Sequence, residues 1–447
     1  MAAIEQSTLK KVTKHIIPFI GLLYFAAFID RTNVGFAALQ MNRDLGFSAY
    51  VYGLGAGIFF AGYCLFEVPS NLILHRVGAR RWIARIMITW GILAGAMAFV
   101  TTPMQFYVVR FLLGVAEAGF FPGIIYYLTH WVPASHRAKL VAAFMTAIPI
   151  STAVGGPISS AILSMDGLLG FAGWQWLFLI ETVPSLLLGF VVLAYLRDTP
   201  KEVSWLSREE REWLTSTLER ETTARNSTHG LVMLSALASR RVLALSLCYF
   251  GVQFGQYGLI LWIPQIVKNL GVSGSAVGFV VAIPYAVAAV GMVLWSRHSD
   301  AKRERVGHIA VASILAFSGL AASAFLAGYP ALSVLAITAG AVGNLAILPV
   351  FWTLPAAILS GTAAAGGIAL INALGNVGGF AGPYVVGWIK DATGSFTYGS
   401  LAMAAGFLLT GIIALLIGHD GASEHSSVGQ AAKGPPFGSK SETSVGH

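Results

Sequence analysis

The chain has 447 residues, of which 56% are apolar and only 11% charged, and its mean hydropathy is +0.72. So small a charged share excludes a dispersed soluble domain of this size. The net charge of +8 invites a nucleic-acid reading, but the positions of the charges, given below, exclude it.

Apolar stretches of ~20 residues recur along the chain, each long enough to cross about 30 Å of hydrocarbon as a helix. Only helices satisfy every backbone polar group within one such segment. The sequence predicts an all-α membrane protein with spans at 16–40, 50–74, 82–100, 104–131, 138–164 and 174–196. A polar gap follows, and then spans at 242–267, 275–295, 308–328, 331–359, 364–389 and 397–418. Twelve helices in two six-helix bundles are expected, 1–196 and 241–418, with a central loop at 197–240 and a disordered tail at 419–447. The central loop contains RDTPKEVSWLSREEREWLTSTLERE, which reads as an amphipathic helix at the membrane surface.

With the amino terminus placed inside, parity of crossing assigns 23 Lys and Arg to inner loops and termini. Only Arg43, Lys268 and Lys390 fall outside. That bias matches the positive-inside rule, so both termini are expected in the cytoplasm of a bacterial-type inner membrane. The basic charge reports topology, and no nucleic-acid partner is implied. The first span has no small-residue cleavage site, so it reads as an uncleaved helix.

The halves echo one another. HRVGARRW (75–82) follows the second span and SRHSDAKRERVGH (296–308) follows the eighth, the pattern of a duplicated six-helix unit. The 50 glycines cluster inside spans, as in GLGAGIFFAG (53–62) and GNVGGFAGP (375–383). They read as close helix packing, because no strand precedes either run as a phosphate-binding loop requires. Cys64 and Cys248 lie in separate spans and read as small packing residues. Neither a metal nor another cofactor is called for, and no nucleophile–base set suggests an enzyme.

Six charged residues remain inside spans: Asp30, Arg31, Glu67, Arg110, Glu117 and Glu181. An ionisable group there costs about 2.5–3.5 kcal/mol on insertion scales, so such groups face a bundle interior or wet cavity. Asp30 lies ~21 Å along the first helix, and Arg110 and Glu117 lie ~9 Å and ~20 Å in from the other end of the fourth. These depths place Asp30, Arg31, Arg110 and Glu117 in one cluster near mid-membrane. An ion pair that merely orients helices is the competing reading. The functional one gives Asp30 and Glu117 to proton coupling and Arg31 and Arg110 to substrate. Protonating a carboxylate frees a guanidinium to grip an anion bidentately, which links proton and anion binding. Glu67 and Glu181, each close before a proline, read as structural or gating partners of loop arginines. Arg76, Arg80 and Asp300 in the two basic loops are the other gating candidates.

The second half carries polar and aromatic residues in its spans: Gln253, Gln256, Tyr257, Trp262, Tyr285, Asn344, Trp352, Asn372 and Asn376. Shape selection is assigned there, with Tyr257, Trp352 and Asn372 as binding residues.

FIDRTNVGFAALQMNRDLGFS (28–48), FEVPSNLILHRVGARRW (66–82) and WQWLFLIETVP (174–184) resemble the major facilitator superfamily, and within it the anion:cation symporter family. YGLILWIPQI (257–266), WSRHSDAKRERVGH (295–308), the run at 349–383 and WIKDATGS (388–395) are similar to its tartrate-transporter-like branch. The resemblance implies proton-coupled uptake of organic acids. It implies that Asp30 and Glu117 carry protons, that Arg31 and Arg110 hold carboxylate, and that Trp352 and Asn372 line the pocket. Two departures stand out: His75 replaces a usual acidic residue, and AIPIS (147–151) lacks a glutamine that sugar-acid permeases use. Tartrate and compact aromatic acids such as nicotinate, phthalate or hydroxyphenylacetate fit the expectation. The partners expected are a small carboxylate, protons and the lipid bilayer, with the protein a monomer. A proton-independent organic-anion exchanger or facilitator is the alternative.

Overall fold

The computed structural model describes residues 2–226, 239–358 and 361–431. The first half runs α1 (Ala2–Asp44), α2 (Ala49–Val77), α3 (Ala79–Ala96), α4 (Pro103–Glu117), α5 (Phe120–Thr129), α6 (Ala134–Met145), α7 (Ala147–Leu163) and α8 (Gly173–Tyr195). Then α9 (Arg208–Asn226) lies in the central segment. The second half runs α10 (Arg240–Asn269), α11 (Gly274–Lys302), α12 (Val306–Phe325), α13 (Pro330–Phe351), α14 (Thr353–Ile358), α15 (Gly361–Thr393) and α16 (Thr397–Ala431).

Among the described residues eleven helical segments are long and apolar enough to cross a membrane. The twelfth span is α15, whose interior is diluted by glycines and by Asn372 and Asn376. This is a multi-pass membrane protein of two six-helix halves. Their packing repeats: α1 on α7, α3 on α8 and α2 on α4 in the first half match α10 on α15, α12 on α16 and α11 on α13 in the second. The echo between the basic loops thus extends to the helix pairs.

Some spans are interrupted for local reasons. The fourth breaks at Ala118 and Gly119, where Gly119 adopts a left-handed φ of +86°. A Cβ there would lie 2.3 Å from Ser70 Oγ, and that hydroxyl caps the break by donating to the Ala118 carbonyl at 2.6 Å. The tenth span breaks at Trp352, close to Pro349 and Pro355. A proline has no N–H to donate back along a helix, so that ladder is weakened.

At the chain ends, α1 starts well before residue 16, and α16 continues to Ala431, into the tail that composition marks as disordered. Residues 227–238 and 432–447 of the predicted loop and tail lie outside the described residues. The surface helix is present as α9, but it is docked on protein. Glu210 accepts from Lys11 Nζ at 2.8 Å and from Ser7 Oγ at 2.7 Å. Leu214 is fully buried, and Trp205 stacks on His15 with ring centroids 4.5 Å apart.

Three helix pairs chiefly join the halves: α2–α15, α7–α11 and α1–α10. They meet most tightly at the end remote from α9. A Cβ on Gly53 would lie 2.5 Å from the Pro383 carbonyl oxygen, and one on Gly278 only 2.0 Å from that of Gly156. Such approaches exist because a glycine on one side, and on both at Gly156 and Gly278, carries no side chain. Asp391 adds a cap across the same end, accepting from the Ala49 and Tyr50 amides at 3.0 and 2.8 Å.

Candidate functional site

Between the halves, on the α9 side of these contacts, lies a partly open cavity. Arg31 and Tyr257 stand on its wall with Gln253, Gln256, Asn372 and Trp352. Aromatic rings supply much of the remainder, notably Tyr24, Phe60, Tyr63, Phe121 and Tyr249. Trp352 is held edge-on against Tyr249, with centroids 4.9 Å apart. Gln253 donates to Asn376 at 3.3 Å, while Gln256 Oε1 has no hydrogen-bond partner among the described residues. A mostly aromatic wall with a few convergent polar groups is the usual character of a small-molecule site.

Arg31 is the charged centre of this wall. One guanidinium nitrogen donates to Glu117, forming a buried ion pair, and the other donates to the Tyr257 hydroxyl at 3.0 Å. The second bond crosses from one half to the other. Glu117 is the last residue of α4, where the helix dipole presents its negative end and disfavours an added anion. Arg31 offsets that penalty. The break at Gly119 therefore creates the environment in which Glu117 depends on its cation.

The four clustered residues of the sequence reading do not all meet. Arg110 is 1% exposed and donates to the carbonyls of Gly55 and Ala56 on α2, at 3.2 and 3.1 Å. It does not line the cavity. Phe59 stands between the arginines, its centroid 5.4 Å from the Arg31 and 5.0 Å from the Arg110 guanidinium carbon. Asp30 points away from both arginines, accepting from Ser185 of α8 and lying beside Trp90 of α3. Consecutive helix residues project ~100° apart, so Asp30 and Arg31 could share a depth but not a direction.

Glu67 and Glu181 do not pair with loop arginines, as the sequence reading expected. Glu67 accepts from Asn372 across the halves at 2.8 Å, because α2 and α15 run side by side at that level. Glu181 is buried, accepting from Ser159 of α7 at 2.8 Å. The loop arginines have other partners or are exposed: the Arg80 amide donates to Asp198 and its Nε to the Leu193 carbonyl, and Arg76 is exposed. Asp300 pairs with Arg305 of its own loop at 2.7 Å. Three second-half candidates lie off the cavity. Trp262 donates to the Pro383 carbonyl at 3.0 Å, and Tyr285 and Asn344 are fully buried within the half. Tyr24, Tyr63, Phe121 and Tyr249 line the cavity without having been singled out, since an aromatic in an apolar span carries no signal of its own.

The pattern of the Major Facilitator Superfamily matches residues 20–383 and, in an overlapping match, 245–442. The chain belongs to the Major Facilitator Superfamily. A "Putative tartrate transporter" of Agrobacterium vitis is 56% identical over 416 residues, covering 93% of this chain and 92% of that protein. A "Quinolone resistance transporter" of Acinetobacter baumannii is 42% identical, covering 92% and 95%. Among solved structures, a bacterial homologue of the human lysosomal transporter Spinster superposes with a TM-score of 0.72 at 19% identity. It covers 91% of this chain and 96% of that one, which establishes the shared fold. This member of the superfamily is a transporter and not an enzyme.

Proposed function

We propose that the chain is a secondary transporter that moves a small organic acid anion together with protons by alternating access. The anion is a tartrate-like hydroxy acid or a compact aromatic carboxylate. The reading rests above all on Arg31, a cation on the cavity wall whose charge is already taken up by one buried carboxylate. With Glu117 ionised, the pair is neutral and an incoming anion finds no free charge. Protonating Glu117 releases the guanidinium, whose planar fork then grips a carboxylate bidentately. Tyr257 holds the other side of the guanidinium and registers its release in the opposite half. Each ligand then favours the other, as thermodynamic linkage requires.

The remaining wall gives the specificity. Gln253, Gln256, Asn372 and Asn376 offer amides to hydroxyl groups or a second carboxylate, and Trp352 offers a flat face to an aromatic ring. Arg110 adds positive charge behind Phe59. Asn372 turns from Glu67 to substrate, so that filling the cavity breaks a bond between the halves. Arg76, Arg80 and Asp300 sit at the α9 end, where the rocking halves close. We place the protein in a bacterial-type inner membrane with both termini cytoplasmic. On that assignment the cavity, closed at the glycine contacts, faces inward. The similarity to proteins named for tartrate transport supports an organic acid as cargo.

The test is uptake into proteoliposomes of labelled tartrate, with nicotinate, hydroxyphenylacetate and a quinolone as competitors, with and without an inward proton gradient. Gradient-driven accumulation is expected, and Glu117→Gln is expected to abolish it while keeping counterflow. Equal uptake with and without the gradient in the wild type refutes symport and leaves an exchanger or facilitator.

A further inference from the structure

We propose that the first half carries a lipid-headgroup site at its α9 end, which holds a phosphoethanolamine lipid of the adjoining leaflet against α1, α8 and the central segment. The site is independent of the substrate cavity, with which it shares no lining residue.

A second partly open cavity lies between His15 of α1, Trp131 just past α5, Tyr195 at the end of α8, and Arg197, Glu202 and Trp205 beyond it. Trp205, stacked on His15, also stacks on Trp131 with ring centroids 5.7 Å apart. Trp131 is 1% exposed, and its indole nitrogen has no hydrogen-bond partner among the described residues. Arg197 and Glu202 carry opposite charges on the same cavity, yet neither forms an ion pair with the other or with any described residue. One Arg197 nitrogen donates to the Ala194 carbonyl at 2.9 Å, which ties the guanidinium to the end of α8. Glu202 Oε1 accepts from the Thr199 amide and hydroxyl at 3.1 and 2.9 Å, and Oε2 is left over. His15 Nδ1 donates to the Lys11 carbonyl at 2.8 Å, so Nε2 of the neutral ring is an acceptor.

The cavity thus offers two donors, the Arg197 guanidinium and the Trp131 N–H, and two acceptors, Glu202 Oε2 and His15 Nε2. That set fits a zwitterion whose phosphate takes the donors and whose ammonium takes the acceptors. A primary ammonium has N–H groups for both acceptors, whereas a trimethylammonium has none. The approach to the cavity is apolar. His15, Phe19 and Leu22 share one face of α1, and Tyr195, Val191 and Leu187 share one face of α8, by their spacing of three and four residues. The two faces meet at Phe19 and Tyr195, whose ring centroids are 4.6 Å apart, and the Tyr195 hydroxyl donates to the His15 carbonyl at 2.9 Å. Leu22, Leu187 and Val191 are 48%, 60% and 43% exposed, so they form an apolar track that runs from the bilayer to the cavity. A soluble phosphate ester leaves that track bare, and an acyl chain covers it. Tyrosine and tryptophan at this level suit the membrane interface. The seated lipid joins Trp205 of the central segment to the ends of α1 and α8.

The full chain is reconstituted in phosphatidylglycerol vesicles doped with a phosphatidylethanolamine that bears a photoreactive acyl chain, and the cross-linked residues are mapped by mass spectrometry. Unlabelled phosphatidylethanolamine, phosphatidylcholine, extra phosphatidylglycerol and soluble glycerophosphoethanolamine are the competitors. Cross-links are expected to concentrate on Phe19, Leu22, Leu187 and Val191, and to be displaced by phosphatidylethanolamine alone. Glu202→Gln keeps an oxygen for the Thr199 cap and removes the charge, and is expected to weaken labelling about fivefold, the upper end for an exposed charge pair. Arg197→Gln is expected to weaken it about tenfold, the worth of one charge-assisted bond. Glu209→Gln, an exposed charge of α9 away from the cavity, is the control and should change nothing. Should Arg197→Gln fail to fold, Trp131→Phe, which removes the indole N–H, replaces it and must weaken labelling in the same sense. Cross-links spread evenly around the lipid-facing helices overturn the site. Equal displacement by phosphatidylcholine or phosphatidylglycerol, or full labelling of Glu202→Gln, overturns recognition of the ammonium. Displacement by glycerophosphoethanolamine at the same concentration overturns a lipid as the occupant.

Discussion

Gly278→Val tests whether the glycine contacts hold the two halves closed. A Cβ at Gly278 would sit 2.0 Å from the Gly156 carbonyl oxygen and 2.5 Å from Ser160 Oγ. Ordinary contact begins at 3.4 Å, so α11 must withdraw from α7 by at least 3.4 − 2.0 = 1.4 Å. It would also give up the bond from the Gly278 amide to Ser160 Oγ at 2.9 Å. Overpacking of this kind costs about 1–3 kcal/mol. The cost is confined to states in which α7 and α11 touch, so the population is expected to move toward the opposite-facing state by about 5–150-fold. Electron–electron distance measurements in liposomes read this out. Spin labels would replace Phe99 and Tyr398, which are 61% and 59% exposed, in a Cys64→Ser, Cys248→Ser background. Longer distances are expected. Gly343→Val is the control, since its Cβ would strike Ala316 within the second half at 2.4 Å. It should lower Tm without lengthening the distances. A folded Gly278→Val protein with wild-type distances would refute the assignment of these contacts to the gate.

Glu210→Gln is expected to loosen α9 from α1, at a cost of about 1–3 kcal/mol for a charge-assisted bond, seen as faster proteolysis of the 197–226 segment. Burial raises the Glu210 carboxyl, but Lys11, the Ser207 amide and Ser7 outweigh it and hold it down at about 2. A depressed carboxyl stabilises the docked helix above its ordinary value of 4.5, and the stabilisation fades as pH falls from there through about 2. The glutamine variant should show no such fading. Gly119→Ala forces a side chain into the left-handed region, at about 1–2 kcal/mol, and onto Ser70 Oγ, which Trp82 holds from its other side at 3.0 Å. A lower Tm and slower counterflow are expected, because Glu117 lies at that break. Trp352→Ala removes a ring from the cavity wall and should weaken binding of aromatic acids by about 1–2 kcal/mol, a factor of 5–30, measured as the half-saturating concentration in counterflow.

Hydropathy alone determined the spans, since a helix of ~20 apolar residues has one stable place. The cost of burying charge picked out the six intramembrane ionisable residues by type and depth. Depth counts position along a helix axis, however, and says little about direction around it. Asp30 and Arg31 are neighbours in sequence and level, yet α8 receives one while Glu117 and Tyr257 receive the other. Asn372 likewise found its partner Glu67 only through the packing of α15 on α2, helices distant in sequence. Glu117 owes its need for a cation to a helix end made by Gly119 and Ser70, residues separated by a whole span. Composition dictates which groups a membrane interior must pair. The azimuth of each helix, set by where glycine lets backbones touch, decides which pairs form.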